Sequence, residues 1–140
     1  MRTNLSSQIT LNRVSTKYYK PENAVERSVL TRFEKVPTDI YESVDEGVCH
    51  IANEIAGKIQ DRQREGKFFV IGAGTGASLR PLYAELVRKH KDEGLSFRNV
   101  VIFNLYEYYP LTPESAGSSF AQLKDLLVDQ IDIDKQNVFT

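Results

Sequence analysis

Two polar segments of the 140-residue chain carry groups suited to chemistry, and each follows an apolar run. The first is the glycine-rich segment Gly72–Ser78, after Phe68–Ile71, and the second is Asn104–Pro110, which contains Tyr106 and Glu107. A glycine-rich turn that leads into a helix exposes backbone N–H groups beside the positive end of the helix dipole. The first segment therefore predicts a phosphate site, and a strand-to-helix turn without a ligand is the alternative.

Two common phosphate loops fit this segment poorly. The Walker loop needs a lysine followed by Ser or Thr, and no lysine lies between Phe68 and Val87. The dinucleotide fingerprint is met formally by Gly72, Gly74 and Ala77. Its acidic partner, expected about 20 residues later, is missing at that spacing.

The apolar spacing around these segments alternates between helix and strand patterns. Ser43, with a glutamate three positions later, predicts the start of a helix that continues to about Arg64. Ser78 is predicted as the N-cap of the next helix, with Pro81 in its first turn and Gly94 at its end. The remaining predictions are a helix from Pro21 to about Phe33, strands at 39–42, 67–71 and 99–103, helical spacing from Phe120 to Ile131, and a strand beginning at Asn137.

Strands that alternate with helices of this length form right-handed βαβ units. They predict an α/β fold with a mainly parallel sheet whose strands are buried under helices on both faces. Ligands of such sheets bind at the carboxyl ends of the strands. Because Gly72–Ser78 and Asn104–Pro110 both follow strands, we expect them to line one crevice.

The composition is that of a globular chain with a single core, since 41% of the residues are hydrophobic and 26% are charged. A net charge of −1 gives no electrostatic basis for nucleic-acid binding, and the apolar runs are too short to cross a membrane.

Residues 1–20 are predicted to form a mobile arm ahead of the region 21–140. Cys49 is the single cysteine and no apolar signal region is present, so a cytoplasmic location is expected. No spacing predicts a metal site, and no cofactor is expected.

Both segments resemble the glucosamine-6-phosphate deaminase family. Ile71–Tyr83 is similar to the family's phosphate loop, which reads Leu-Gly-Leu-Pro-Thr-Gly-Gly-Thr-Pro and is followed by a tyrosine four residues further on. Phe103–Leu111 is similar to the family's Phe-Asn-(Met/Leu)-Asp-Glu-Tyr. The resemblance extends from about residue 30 to residue 140, and the two motifs lie at the right separation.

The resemblance implies a Rossmann-like three-layer α/β/α fold, here truncated, from an enzyme that converts glucosamine 6-phosphate into fructose 6-phosphate and ammonia. It implies that Gly72, Thr75, Gly76, Ala77 and Ser78 bind the sugar phosphate. Other phosphate ligands and a histidine that assists ring opening belong, in the family, to segments after residue 140, so the fragment alone is expected to be inactive. Family members often form symmetric assemblies, which makes a homo-oligomer a further expectation.

One position departs from the family pattern. Tyr106 replaces the family's aspartate, which acts as the general base for the C2 proton, and the matching Glu107 follows it. A carboxylate with a pKa of about 4 is ionised at neutral pH, whereas a phenol with a pKa of about 10 keeps its proton and is a poor base. Tyr106 and Glu107 are the candidate catalytic residues, and Glu107 could replace the base only if a bulge or loop turned it to the same side.

Three functions remain open on this sequence. The first is the deaminase region of an enzyme of amino-sugar metabolism. The second is a sugar-phosphate-binding or sensing module without turnover, which Tyr106 in place of the base would suit. The third is an isomerase or lactonase that acts on another sugar phosphate.

Overall fold

The computed structural model describes residues 21–36, 38–115 and 117–140. The predicted arm, residues 1–20, lies outside these ranges. The chain divides into two compact units between Glu42 and Ser43, so the predicted region 21–140 spans the division. Within the described ranges, no helix is both long enough and apolar enough to cross a membrane.

The described residues of the first unit form one helix, α1 (Ala24–Thr31), which is shorter than predicted and has no buried residue. Asn23 caps it, because the side-chain oxygen of Asn23 accepts a hydrogen bond from the N–H of Glu26 at 2.9 Å. The predicted strand at 39–42 is wrong, since these residues form no strand. So short a segment becomes a strand only beside a partner, and the three strands described elsewhere in the chain pair only with one another.

The described residues of the second unit, from Ser43 onward, form three helices and a three-stranded sheet. The strands lie in the order β1-β2-β3 and both pairs are parallel, which confirms the predicted α/β fold with a parallel sheet. Two short 3-10 helices connect the last helix to the last strand. The elements in chain order are α2 (Val44–Arg64), β1 (Phe69–Ala73), α3 (Arg80–Glu93), β2 (Val100–Asn104), α4 (Ser119–Leu126), the 3-10 helices Val128–Gln130 and Lys135–Asn137, and β3 (Val138–Phe139).

Local sequence explains where α2 begins and where α3 ends. The Ser43 hydroxyl accepts a hydrogen bond from the N–H of Glu46 at 3.1 Å, which confirms the predicted cap of α2. Gly94 ends α3 with a φ of 73°, a left-handed conformation that favours glycine. The strands also form close to their predicted positions, with β1 displaced by two residues and β2 by one.

The core of the second unit lies between the sheet and its helices. The sheet grows in one direction from β1 to β3, and βαβ connections are right-handed as a rule, which places α3 and α4 on the same face of the sheet, where they contact each other. Ile102 and Leu123 are fully buried there. On the other face, Val70, Phe103 and Phe139 are 58%, 46% and 44% exposed. The strands are therefore not buried on both faces as predicted, and the described residues cover only one.

Candidate functional site

The two polar segments meet at the carboxyl edge of the sheet. β1 and β2 pair in parallel register, with Ala73 opposite Asn104. One residue further on, the N–H of Leu105 donates to the carbonyl of Ala73 at 2.9 Å. The structure therefore brings the glycine-rich segment beside the segment that follows β2, as the topology predicts.

The glycine-rich segment is a tight turn that enters α3 without a side-chain cap. Gly76 has a φ of 155°, a conformation that other residues rarely adopt. The N–H of Leu79 donates to the carbonyl of Gly76 at 3.2 Å and closes the turn. Leu79 is the N-cap, so the predicted cap at Ser78 is wrong: the backbone hydrogen bond of the turn leads the chain into the helix one residue later. Pro81 lies in the first turn, as predicted.

The residues predicted to bind the sugar phosphate differ in their surroundings. Thr75 is half-buried, and Gly76–Ser78 are exposed directly before the N-terminus of α3, where N–H groups and the helix dipole favour an anion. Gly72 lies inside β1. A Cβ at Gly72 would lie 2.7 Å from Cδ2 of Leu105, so the absence of a side chain there makes room for Leu105. Binding by these residues stays a prediction.

Tyr106 reaches back across the sheet edge to the glycine-rich turn. Its hydroxyl accepts a hydrogen bond from the N–H of Thr75 at 3.0 Å, donates to the carbonyl of Thr75, and lies 3.3 Å from the Thr75 hydroxyl. Hydrogen bonds from the Thr75 hydroxyl and N–H lower the pKa of the Tyr106 phenol. The ring lies against the turn, where a Cβ added at Gly74 would be 3.3 Å from Cε1 of Tyr106. The N–H of Thr75, a donor that an anion bound at the turn would use, is therefore already paired with Tyr106.

Glu107 is held by the start of α4. Its carboxylate accepts hydrogen bonds from the Ser118 hydroxyl at 2.6 Å and from the N–H groups of Tyr108 at 2.9 Å, Ser119 at 2.9 Å and Phe120 at 3.0 Å. The Ser118 hydroxyl contributes most, and together these donors lower the pKa of Glu107 to about 2. An ionised group stabilised this strongly is a weak base at neutral pH.

Ser118 and Ser119 are site residues that the sequence reasoning missed. Both are fully buried. The Ser119 hydroxyl lies 2.8 Å from the Thr75 hydroxyl and 3.4 Å from Oδ1 of Asn104. Adjacent serines before a helical pattern indicate an N-cap, and Ser118 does cap α4 by accepting a hydrogen bond from the N–H of Ala121 at 3.1 Å. That local signal could have marked the start of α4, but not its contact with the turn.

Tyr83 ties α3 to the same turn. Its side chain is buried in the core, and its hydroxyl donates to the carbonyl of Gly74 at 2.5 Å. Burial raises the pKa of the Tyr83 phenol, and the nearby Tyr106 adds to the effect. The phenol therefore keeps its proton at neutral pH and remains a donor to the turn.

A metal site is not apparent in the part of the chain that the structure describes, where no three His, Cys, Asp or Glu side chains lie close enough together to hold an ion. His90 lies on α3, and its Nδ1 is 2.7 Å from the carbonyl of Leu95.

A glucosamine-6-phosphate deaminase-like protein of Bacteroides thetaiotaomicron is 61% identical to this chain over 140 residues, which are 100% of the chain and 21% of that protein. This chain is therefore similar along its whole length to part of a glucosamine-6-phosphate deaminase-like protein. Glucosamine-6-phosphate isomerase of Candida albicans is 34% identical over 71% of this chain and 39% of its own length. Glucosamine-6-phosphate deaminase of Bacillus velezensis is 36% identical over 64% of the chain and 37% of its own length.

This chain also resembles a solved structure, that of a monomeric glucosamine-6-phosphate deaminase of the NagB superfamily. The TM-score is 0.65 at 27% identity, over 71% of this chain and 39% of that one. This likeness agrees with the predicted Rossmann-like α/β fold. This chain thus spans between 21% and 39% of the length of these proteins. No family model matches it.

Proposed function

We propose that this deaminase-like chain contributes its glycine-rich turn and Asn104–Glu107 to a glucosamine 6-phosphate site in a longer protein. The proposed reaction is an aldose-ketose isomerisation with loss of ammonia. The observation that carries the proposal is that both family motifs meet at the carboxyl ends of adjacent parallel strands, with Ala73 opposite Asn104. The backbone N–H groups beside the start of α3 and the hydroxyls of the turn are suitable donors for a phosphate or for sugar hydroxyls.

A second function, sugar-phosphate binding without deamination, is favoured by the hydrogen bonds of Tyr106 and Glu107. The Tyr106 phenol donates its proton to the carbonyl of Thr75, so it is a poor acceptor for a proton from carbon. Glu107 is ionised but is stabilised by four donors, with a pKa of about 2. Held in these hydrogen bonds, both groups are weak bases for removal of the C2 proton.

The two functions predict different results when the protein at its natural full length is assayed for turnover of glucosamine 6-phosphate. Wild type and Y106D would be assayed for fructose 6-phosphate and ammonia from glucosamine 6-phosphate, and binding would be measured by calorimetry. Tyr109 is 99% exposed, so Y109D is a matched control for the added charge. Turnover by wild type would support the deaminase and exclude the binding module. An inert wild type that binds, together with turnover by Y106D, would support the binding module. A wild type that neither binds nor turns over the sugar would refute both.

A cytoplasmic location belongs to the same proposal, and the free, exposed thiol of Cys49 suits a reducing compartment. Fractionation of cells that express the tagged protein would test it. Light scattering of the purified protein, which measures its mass in solution, would test the expectation of a homo-oligomer.

A further inference from the structure

The start of α4 is connected to the glycine-rich turn by hydrogen bonds that run through Glu107 and Ser119. Glu107 comes immediately after the family's base position. Its carboxylate accepts hydrogen bonds from the Ser118 hydroxyl and from the N–H groups of Ser119 and Phe120. These are the first groups of α4, whose N–H donors have no partner within the helix. Glu107 therefore fastens the N-terminus of α4 to the segment that follows β2.

Ser119 continues this connection to the turn. Its N–H binds Oε1 of Glu107, and its hydroxyl lies 2.8 Å from the hydroxyl of Thr75. The same hydroxyl lies 3.4 Å from Oδ1 of Asn104, and the side-chain amide of Asn104 donates to the carbonyl of Tyr106 at 2.8 Å. Because Ser119 is fully buried, water cannot readily replace these bonds.

We propose that Glu107 is a positioning residue that acts through Ser119 to hold Thr75, and with it the donor groups of the glycine-rich turn. This role rests on the proposed function only where it concerns sugar-phosphate binding, because the hold on Thr75 is a property of the free protein. The four hydrogen bonds and the low pKa suit a fixed, ionised anchor better than a group that must accept a proton from carbon.

Hydrogen exchange and ligand affinity together test this role in the protein at its natural full length. The variants are E107A and S119A, with E114Q as the control, because Glu114 is an exposed acid in the same loop. Exchange of the peptide that covers the turn would be followed by mass spectrometry, and glucosamine 6-phosphate affinity by calorimetry. We expect E107A and S119A to speed exchange of the turn about tenfold and to weaken binding about tenfold, the effect of losing one or two hydrogen bonds. E114Q should change neither.

Four results would separate the explanations. If E107A speeds exchange only at the start of α4 and leaves the turn unchanged, Glu107 is only a helix cap and the positioning role is refuted. If E107A does not fold, E107Q and S119A are measured in its place. Wild-type exchange of the turn and wild-type affinity in both variants would refute the positioning role. If E107Q keeps wild-type exchange and affinity but loses turnover, Glu107 is catalytic instead. Faster exchange of the turn in a protein that does not bind the sugar phosphate would support the positioning role and refute the proposed function.

Discussion

Replacing Tyr83 with phenylalanine measures how firmly α3 holds the glycine-rich turn. The Tyr83 side chain is 5% exposed, and its hydroxyl donates to the carbonyl of Gly74 at 2.5 Å. Gly74 is itself buried. Because the raised pKa keeps the phenol protonated at neutral pH, this hydrogen bond is present under ordinary assay conditions. The substitution removes only the hydroxyl and leaves the packing of the ring intact.

The expected loss follows from what remains at Gly74. Removing one partner of a buried hydrogen bond leaves the carbonyl without a donor, and this desolvation costs about 1–3 kcal/mol. We therefore expect Y83F to lower the free energy of unfolding of the second unit by about 2 kcal/mol. For a cooperative unit of this size, that corresponds to a fall of about 10 °C in Tm.

Urea denaturation followed by far-UV circular dichroism would measure the loss, with a thermal scan as the second readout. Tyr109 is 99% exposed, so Y109F is the matched control and should stay within about 0.5 kcal/mol of wild type. Hydrogen exchange at the turn should also rise in Y83F. A Y83F protein as stable as the Y109F control would refute the inference that this hydrogen bond anchors the turn.

Three further predictions concern the fold and its pH dependence. I102A should lower the free energy of unfolding by about 2–5 kcal/mol, because Ile102 is fully buried. V70A, on the exposed face of the sheet, should lower it far less, and urea denaturation would compare the two variants. S43A should cost about 1 kcal/mol by the same assay, since it removes the N-cap of α2, and an unchanged stability would contradict that role. Glu107 has a folded pKa of about 2, below its ordinary 4.5, so its contribution is present above about pH 4.5 and lost as the pH falls toward 2. The stability difference between wild type and E107Q should therefore shrink over that range, and a difference independent of pH would refute the anchored carboxylate.

The accuracy of the sequence predictions depended on how local their physical cause was. The start of α2 at Ser43 and the end of α3 at Gly94 were predicted correctly, because capping involves groups only a few residues apart. Ser78 failed as a cap, since the hydrogen bond between Leu79 and Gly76 settled the entry into α3 instead. The strand predicted at 39–42 failed because a strand needs a partner that its own sequence does not specify.

Apart from the strand at 39–42, the amino-acid sequence alone determined the order of strands and helices, the parallel sheet, and the two motifs at its carboxyl edge. Apolar spacing, glycine and proline act through the chain itself, which is why they are readable in advance. Only the tertiary structure decided what the two candidate catalytic residues touch. Tyr106 binds Thr75, 31 residues away, and Glu107 binds the N-terminus of α4. Those contacts arise from the register between β1 and β2 and from the packing of α4, which join residues that no local pattern connects.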